Sequence, residues 1–204
     1  MKDLVVLAAD KPMETALSRA LARHRSMGTR ALSCTFRTHP QRDGGVRSAG
    51  HELLRLQRST HRHALMVFDH EGSGADGDPV AELEAMLDAK LARDWDDRAR
   101  CVVVAPEMDT WMWGSDNAMH QALGWRHPEG VRQYAASQGF VPDSIGKPDR
   151  PKEAMEAVLR RQRLPMSASV YGDIAGGISL SRCHDPAFER LRSILRGWFP
   201  ASAK

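Results

Sequence analysis

The chain has 204 residues, with 29 Lys and Arg against 26 Asp and Glu, 42% hydrophobic and 27% charged. This is ordinary globular composition, which excludes an intrinsically disordered polymer, and the length suits one domain or a domain with a small appendage. The longest apolar runs, at 4–9 and 101–105, are far too short to cross a bilayer.

The run at 4–9 is continuously apolar and predicts a strand buried on both faces, as in a parallel sheet, with Asp10 closing it. Pro12, followed by Glu14, Ala16, Leu17, Ala20 and Leu21, predicts a helix with proline in its first turn and an apolar stripe at helical spacing. Residues 31–36 are a second predicted strand, 39–50 have the Pro, Gly, Asp and Arg content of a loop, and 52–57 read as a short helix. A third strand is predicted at 64–68, ending in Asp69, His70 and Glu71. After a Gly/Asp loop, Asp78 as N-cap and Pro79 in the first turn predict a helix to about Leu91. The fourth predicted strand, 100–105, leads into Pro106 and Glu107.

Beyond Trp111 the pattern breaks into short helical pieces, with helices predicted at 129–138, 151–161 and 186–198. Strands alternating with helices define an α/β fold with a parallel sheet flanked by helices. The expected organisation is a core over 1–110 and a helical extension over 111–204, packed on the core as a C-terminal cap.

Cys34, Cys101 and Cys183 are odd in number and widely spaced, which predicts buried thiols and neither a disulfide framework nor a zinc knuckle. The N-terminus places Asp3 before the first apolar run and has no basic start or cleavage site of a secretory signal, so a cytoplasmic location is expected. The 23 arginines and 6 lysines suit phosphate-binding forks, yet a net charge of +3 is too small to establish a nucleic-acid partner.

The chemistry-bearing feature is that three predicted strands end in carboxylates: Asp10, then Asp69 with Glu71, then Glu107. Functional groups of parallel α/β folds gather beyond the strand C-termini. Asp69 and Glu71 alternate, so in an extended segment they face the same side and one divalent ion. A carboxylate cluster without matching His or Cys suits Mg²⁺ and phosphoryl chemistry, whereas each acid taken alone reads equally as a strand terminator or helix cap. Glu107 and Asp109 either complete the acidic site, or Glu107 caps the segment leading to Trp111.

Competing motifs are weaker. The loop GSGADG at 72–77 has the spacing of a dinucleotide loop, but Asp69, Glu71, Asp76 and Asp78 would repel a pyrophosphate, so a turn is expected. An EF-hand reading starting at Asp69 fails because its twelfth position is Val80. His61 and His63 read as a surface pair rather than a metal site, His70 as pointing away from the acids, and Trp111, Trp113, Trp125 and Trp198 as core anchors rather than base-stacking platforms.

The runs LVVLAADKPME at 4–14 and VFDHEG at 67–72 resemble the Toprim pattern, in which one strand ends in an acid and a later strand in Asp-x-Asp. PEMDTW at 106–111, KPDRPK at 147–152, SASVY at 167–171 and DPAF at 185–188 extend the resemblance to a family of small Toprim-like proteins of bacterial anti-phage defence loci, in particular the small Toprim-like component of methylation-associated defence systems. The resemblance implies a Toprim-type α/β fold, Mg²⁺ or Mn²⁺ as cofactor, and a nuclease or phosphoryl-transfer activity. It also implies nucleic acid and other defence proteins as partners, with no membrane and with self-association left open.

On this sequence it puts Asp10 or Glu14 in the first acid position and Asp69 with Glu71 in the metal-binding pair. Lys147, Lys152 or Arg150 would neutralise phosphate charge. Two departures stand out: Asp10-Lys11 replaces the common Glu-Gly, and the second acid of the pair is glutamate. Lys11 is expected to fill space beside Asp10. These departures keep open a noncatalytic sensor or scaffold of the same shape, and a third reading is a nucleotide-binding regulator using the glycine loop.

Overall fold

The apolar runs become three neighbouring strands of a four-stranded parallel sheet in the computed structural model, which describes residues 1–143, 146–180 and 183–201. The strands are β1 (Lys2–Ala8), β2 (Cys34–Thr38), β3 (His61–Asp69) and β4 (Ala99–Val104), in the spatial order β2-β1-β3-β4. β1 pairs with β2 in the register Leu4 to Cys34 and with β3 in the register Val5 to Ala64, while β3 and β4 align Val67 with Val102. Residues 4–8 of β1, 64–68 of β3 and 101–104 of β4 are all buried, which is why they read as unbroken apolar runs instead of alternating ones.

α1 (Lys11–Ala22) packs on β1 and β2 through Met13, Ala16, Leu17, Ala20 and Leu21, with Asp10 as its N-cap and proline in its first turn. The short α2 (His24–Met27) follows and ends in left-handed Gly28. α3 (Arg42–Arg55) and α4 (Val80–Trp95) pack side by side, α3 on β1 and β3 and α4 on β4.

α3 corrects the expectation of a loop over 39–50, and the short helix at 52–57 is only its end. Two of the three glycines that signalled a loop, Gly45 and Gly50, are small because the helix lies close to its neighbours. A Cβ on Gly45 would meet His39 Nδ1 at 2.1 Å, and one on Gly50 would meet Met66 Sδ at 2.7 Å. Val46 and Leu54 fill the rest of the buried face.

Other boundaries also move. The second strand runs 34–38 rather than 31–36, as the sheet edge. Asp78 makes no cap hydrogen bond: Pro79 is the N-cap of α4, which continues to a fully buried Trp95.

The extension is built from α5 (Asp109–Met112), α6 (Asp116–Leu123), α7 (Val131–Ser137), α8 (Pro151–Gln162), α9 (Ala168–Gly177) and α10 (Pro186–Trp198). α9 packs along α1, where Gly172 lies against Thr15, and α10 packs on β4. Arg190 of α10 donates to the Cys101 carbonyl at 3.0 Å and to Asp88 at 2.8 Å, binding the last helix to the sheet and α4. Trp111 and Trp113 are core side chains, as expected, and their indole N–H groups reach Asp185 and the Pro151 carbonyl. Cys101 and Cys183 are buried and Cys34 is half-buried, all three as free thiols.

The histidine pair corrects the surface reading. His61 is buried between Thr35 and Thr60, and His63 packs against Trp198 and Phe199. Among the described residues no helix is long and apolar enough to cross a membrane.

Candidate functional site

The chain leaves β1 through α1 towards β2 on one side, and leaves β3 through α4 towards β4 on the other. Neighbouring parallel strands whose connections diverge leave a crevice outside their C-terminal ends. A cleft of about 680 Å³ lies where that rule puts it, and Asp10, Asp43, Asp69, Glu71, Glu107 and Asp109 all line it, together with Arg42, Lys152 and Tyr171.

Each carboxylate is placed by a different piece of backbone. Asp10 follows β1, and its Oδ1 accepts the Met13 N–H at 3.0 Å, so it caps α1 and lines the cleft at once. Asp69 is the last residue of β3 and its Oδ1 accepts the Met108 N–H at 2.8 Å. Past the strand, the N–H groups of His70 and Glu71 donate to the carbonyls of Val104 and Pro106, at 2.8 and 3.0 Å, so Glu71 runs beside the segment carrying Glu107. Asp43, in the first turn of α3, accepts the Asp69 N–H at 2.8 Å. Asp109 begins α5 and accepts the Tyr171 hydroxyl at 2.5 Å, while Glu107 accepts Lys152 Nζ at 2.6 Å.

The crowding shows in the acidities. Burial pushes the Asp69 carboxyl well above the ordinary range; Asp43, and then Asp109 and Glu107, push the same way against the Met108 N–H. Burial raises Asp109 to about 6 despite the Tyr171 hydroxyl, and raises Asp43 and Glu107 as well. The hydrogen bond to Glu107 raises Lys152, and burial followed by Asp109 raises the Tyr171 hydroxyl. Among the described lining residues six carboxyl groups face two cations, an imbalance that attracts further cations once the acids ionise.

Among the residues expected at the site, Asp10, Asp69, Glu71, Glu107, Asp109 and Lys152 meet in this cleft. Glu14 is not part of its lining: it pairs with Lys11 at 2.5 Å, so Lys11 reaches along α1 instead of filling space beside Asp10. Lys147 is also outside the lining. It is buried 3.6 Å from Asp185, whose Oδ1 accepts the Trp111 indole N–H and the N–H groups of Ala187 and Phe188. Arg150 lies over the Phe140 ring. His70 turns to the glycine loop, with its Nε2 3.0 Å from the Asp78 carbonyl. The glycine loop turns on itself, with the Gly72 N–H donating to Asp76.

Asp43 and Tyr171 were missed. Asp43 sits in the segment whose glycines read as loop, and it carries no local signal of a site. Tyr171 lies in α9, capped by Ser167; the resemblance includes it in SASVY at 167–171 but assigns it no role at the site.

Among the described residues no group of three or more His, Cys, Asp or Glu side chains is drawn together around one point. Mg²⁺ does not require such a cage, because it commonly takes one or two protein carboxylates and keeps water or substrate oxygens. The donors here are all oxygens, and among the described residues nothing hydrogen-bonds Asp69 Oδ2 or the Glu71 carboxylate. The residues present thus fit a hard divalent ion.

Fold and site together define an α/β protein with an acidic cleft at the C-terminal edge of a four-stranded parallel sheet. No protein-family model, curated protein or solved structure matches the chain.

Proposed function

We propose that this chain is a Toprim-like, divalent-metal-dependent nuclease or phosphoryl-transfer subunit of a bacterial anti-phage defence system. The supporting observation is that six carboxylates from four separate stretches of chain line one cleft, with burial first and neighbouring acids after it raising the pKa of four of them. The defence setting rests on the sequence resemblance.

In this reading Asp69 and Glu71 hold Mg²⁺ or Mn²⁺, with Glu107 and Asp109 as the further acids. The ion supplies positive charge that polarises a phosphoryl oxygen. Lys152 keeps Glu107 in place through its hydrogen bond at 2.6 Å. Tyr171 holds the Asp109 carboxylate in one orientation. Asp10, fixed by its cap hydrogen bond, orients or deprotonates the attacking water.

The second reading, a noncatalytic sensor or scaffold binding other defence proteins, is favoured by one specific observation. Asp10, Glu107 and Asp109 are already engaged by the Met13 N–H, Lys152 and Tyr171, so the cleft is internally braced. Titration calorimetry with Mg²⁺ and Mn²⁺, followed by plasmid nicking, on wild type and the Asp69→Ala/Glu71→Ala variant separates the two. Binding and cleavage that vanish together in the variant support the enzyme. Absence of both in wild type, with co-purification of larger partners, supports the scaffold.

A further inference from the structure

We infer that Arg42 is the residue that receives the substrate's phosphodiester at the mouth of the cleft. The inference rests on the nucleic-acid reading of the site given above.

An acidic cleft repels a phosphate, so an anionic substrate needs a cation that is not already spent on the protein's own acids. Among the described residues lining the cleft, only Arg42 and Lys152 supply positive charge. Lys152 is committed to Glu107 at 2.6 Å. Arg42 is exposed and makes no ion pair or side-chain hydrogen bond among the described residues, although acids line the same cleft. A guanidinium presents a planar fork that matches two phosphate oxygens, which an ammonium does not.

The backbone supports the same residue. Arg42 has φ of +49°, a left-handed conformation that side chains other than glycine and asparagine adopt at a cost. Glycine is at hand two and three positions later, yet the left-handed position carries arginine.

The surrounding turn holds this conformation firmly. Buried His39 accepts the Gln41 N–H on Nδ1 at 3.1 Å, its carbonyl accepts the Arg42 N–H at 3.1 Å, and its ring lies where a Cβ on Gly45 would be. A turn so closely determined sustains local strain, and strain of this kind clusters at ligand-binding positions. Arg42 lines the cleft directly before Asp43, whose carboxylate accepts the Asp69 N–H.

The test uses the full chain and four proteins: wild type, Arg42→Gln, Arg42→Lys and Arg42→Gly. Fluorescence anisotropy with a DNA and an RNA decamer of the same sequence, in Mn²⁺, measures phosphodiester binding; calorimetry with Mn²⁺ alone measures the metal. Arg42→Gln is expected to weaken decamer binding about tenfold with Mn²⁺ affinity unchanged, and Arg42→Lys to recover part of the loss. Arg42→Gly is expected to melt a few degrees higher than wild type, through relief of the left-handed strain, and to bind the decamer as weakly as Arg42→Gln.

Equal decamer affinity in wild type and Arg42→Gln overturns the inference, as does wild type that takes Mn²⁺ and no decamer; the second result leaves the metal reading standing. Decamer binding that depends on Arg42 in a protein that takes no Mn²⁺ supports the inference and removes the metal reading. Failure to bind either probe removes both.

Discussion

The carboxylate of Asp43 accepts the backbone N–H of Asp69 at 2.8 Å, tying the first turn of α3 to the last residue of β3 inside the cleft. Two acids from elements far apart in sequence are thereby held together, although Asp43 disfavours the charge of Asp69. Asp43→Ala leaves the Asp69 N–H without its acceptor and is expected to destabilise the protein by about 1–2 kcal/mol. Asp43→Asn keeps an acceptor oxygen and should cost much less. Urea unfolding of the two variants checks the difference.

Asp69→Asn removes a strongly disfavoured buried charge from the cleft while keeping an oxygen for the Met108 N–H. With divalent ions chelated, at neutral pH, the variant is expected to be more stable than wild type by about 0.5–2 kcal/mol, the usual sign of a site that gives up stability for function. A lower urea midpoint for the variant would show instead that the charge is well compensated in the fold.

Stability at acid pH should respond to Asp3. Arg30 Nη2 and Nη1 donate to its two oxygens at 2.6 and 3.1 Å, and Ser33 donates to it through both backbone N–H and hydroxyl. The hydrogen bond to Arg30 holds the Asp3 carboxyl far below its ordinary value of 3.8. A depressed folded value means stabilisation that is complete above the unfolded value and lost as pH falls below it towards the folded one. Discounted for the partly exposed Arg30, the wild-type advantage over Asp3→Asn is expected to be about 1 kcal/mol at pH 7. It should shrink steadily below about pH 4, as read by unfolding at a series of pH values.

Neighbouring glycines of α3 should respond in opposite directions to alanine. A Cβ on Gly44 meets nothing nearer than the Ser73 carbonyl at 3.7 Å, so Gly44→Ala is expected to stabilise by about 0.5 kcal/mol through helix propensity. A Cβ on Gly45 meets the His39 ring at 2.1 Å, so Gly45→Ala is expected to destabilise by about 1–3 kcal/mol. Thermal melts of the two single variants, and their far-UV circular dichroism, check both the signs and that the helix persists.

The doubly buried strands were legible in the chain because burial on both faces demands unbroken apolar runs, a purely local pattern. α1, α8 and α10 were legible as well, through first-turn prolines and apolar stripes at helical spacing. α3 was not, because its glycines answer to the His39 ring and the Met66 thioether, atoms that only the folded chain brings near.

The same division runs through the site. Acids at strand ends could be read from sequence, since parallel strands deliver their C-termini to one edge. Which basic and hydroxyl groups join them could not: Lys152 and Lys147 sit five residues apart in one stretch, yet one reaches Glu107 in the cleft and the other is buried against Asp185. Asp43, Arg42 and Tyr171 arrive through helix packing and a strained turn. Spatial convergence depends on how helices rest on the sheet, which no local run of residues encodes.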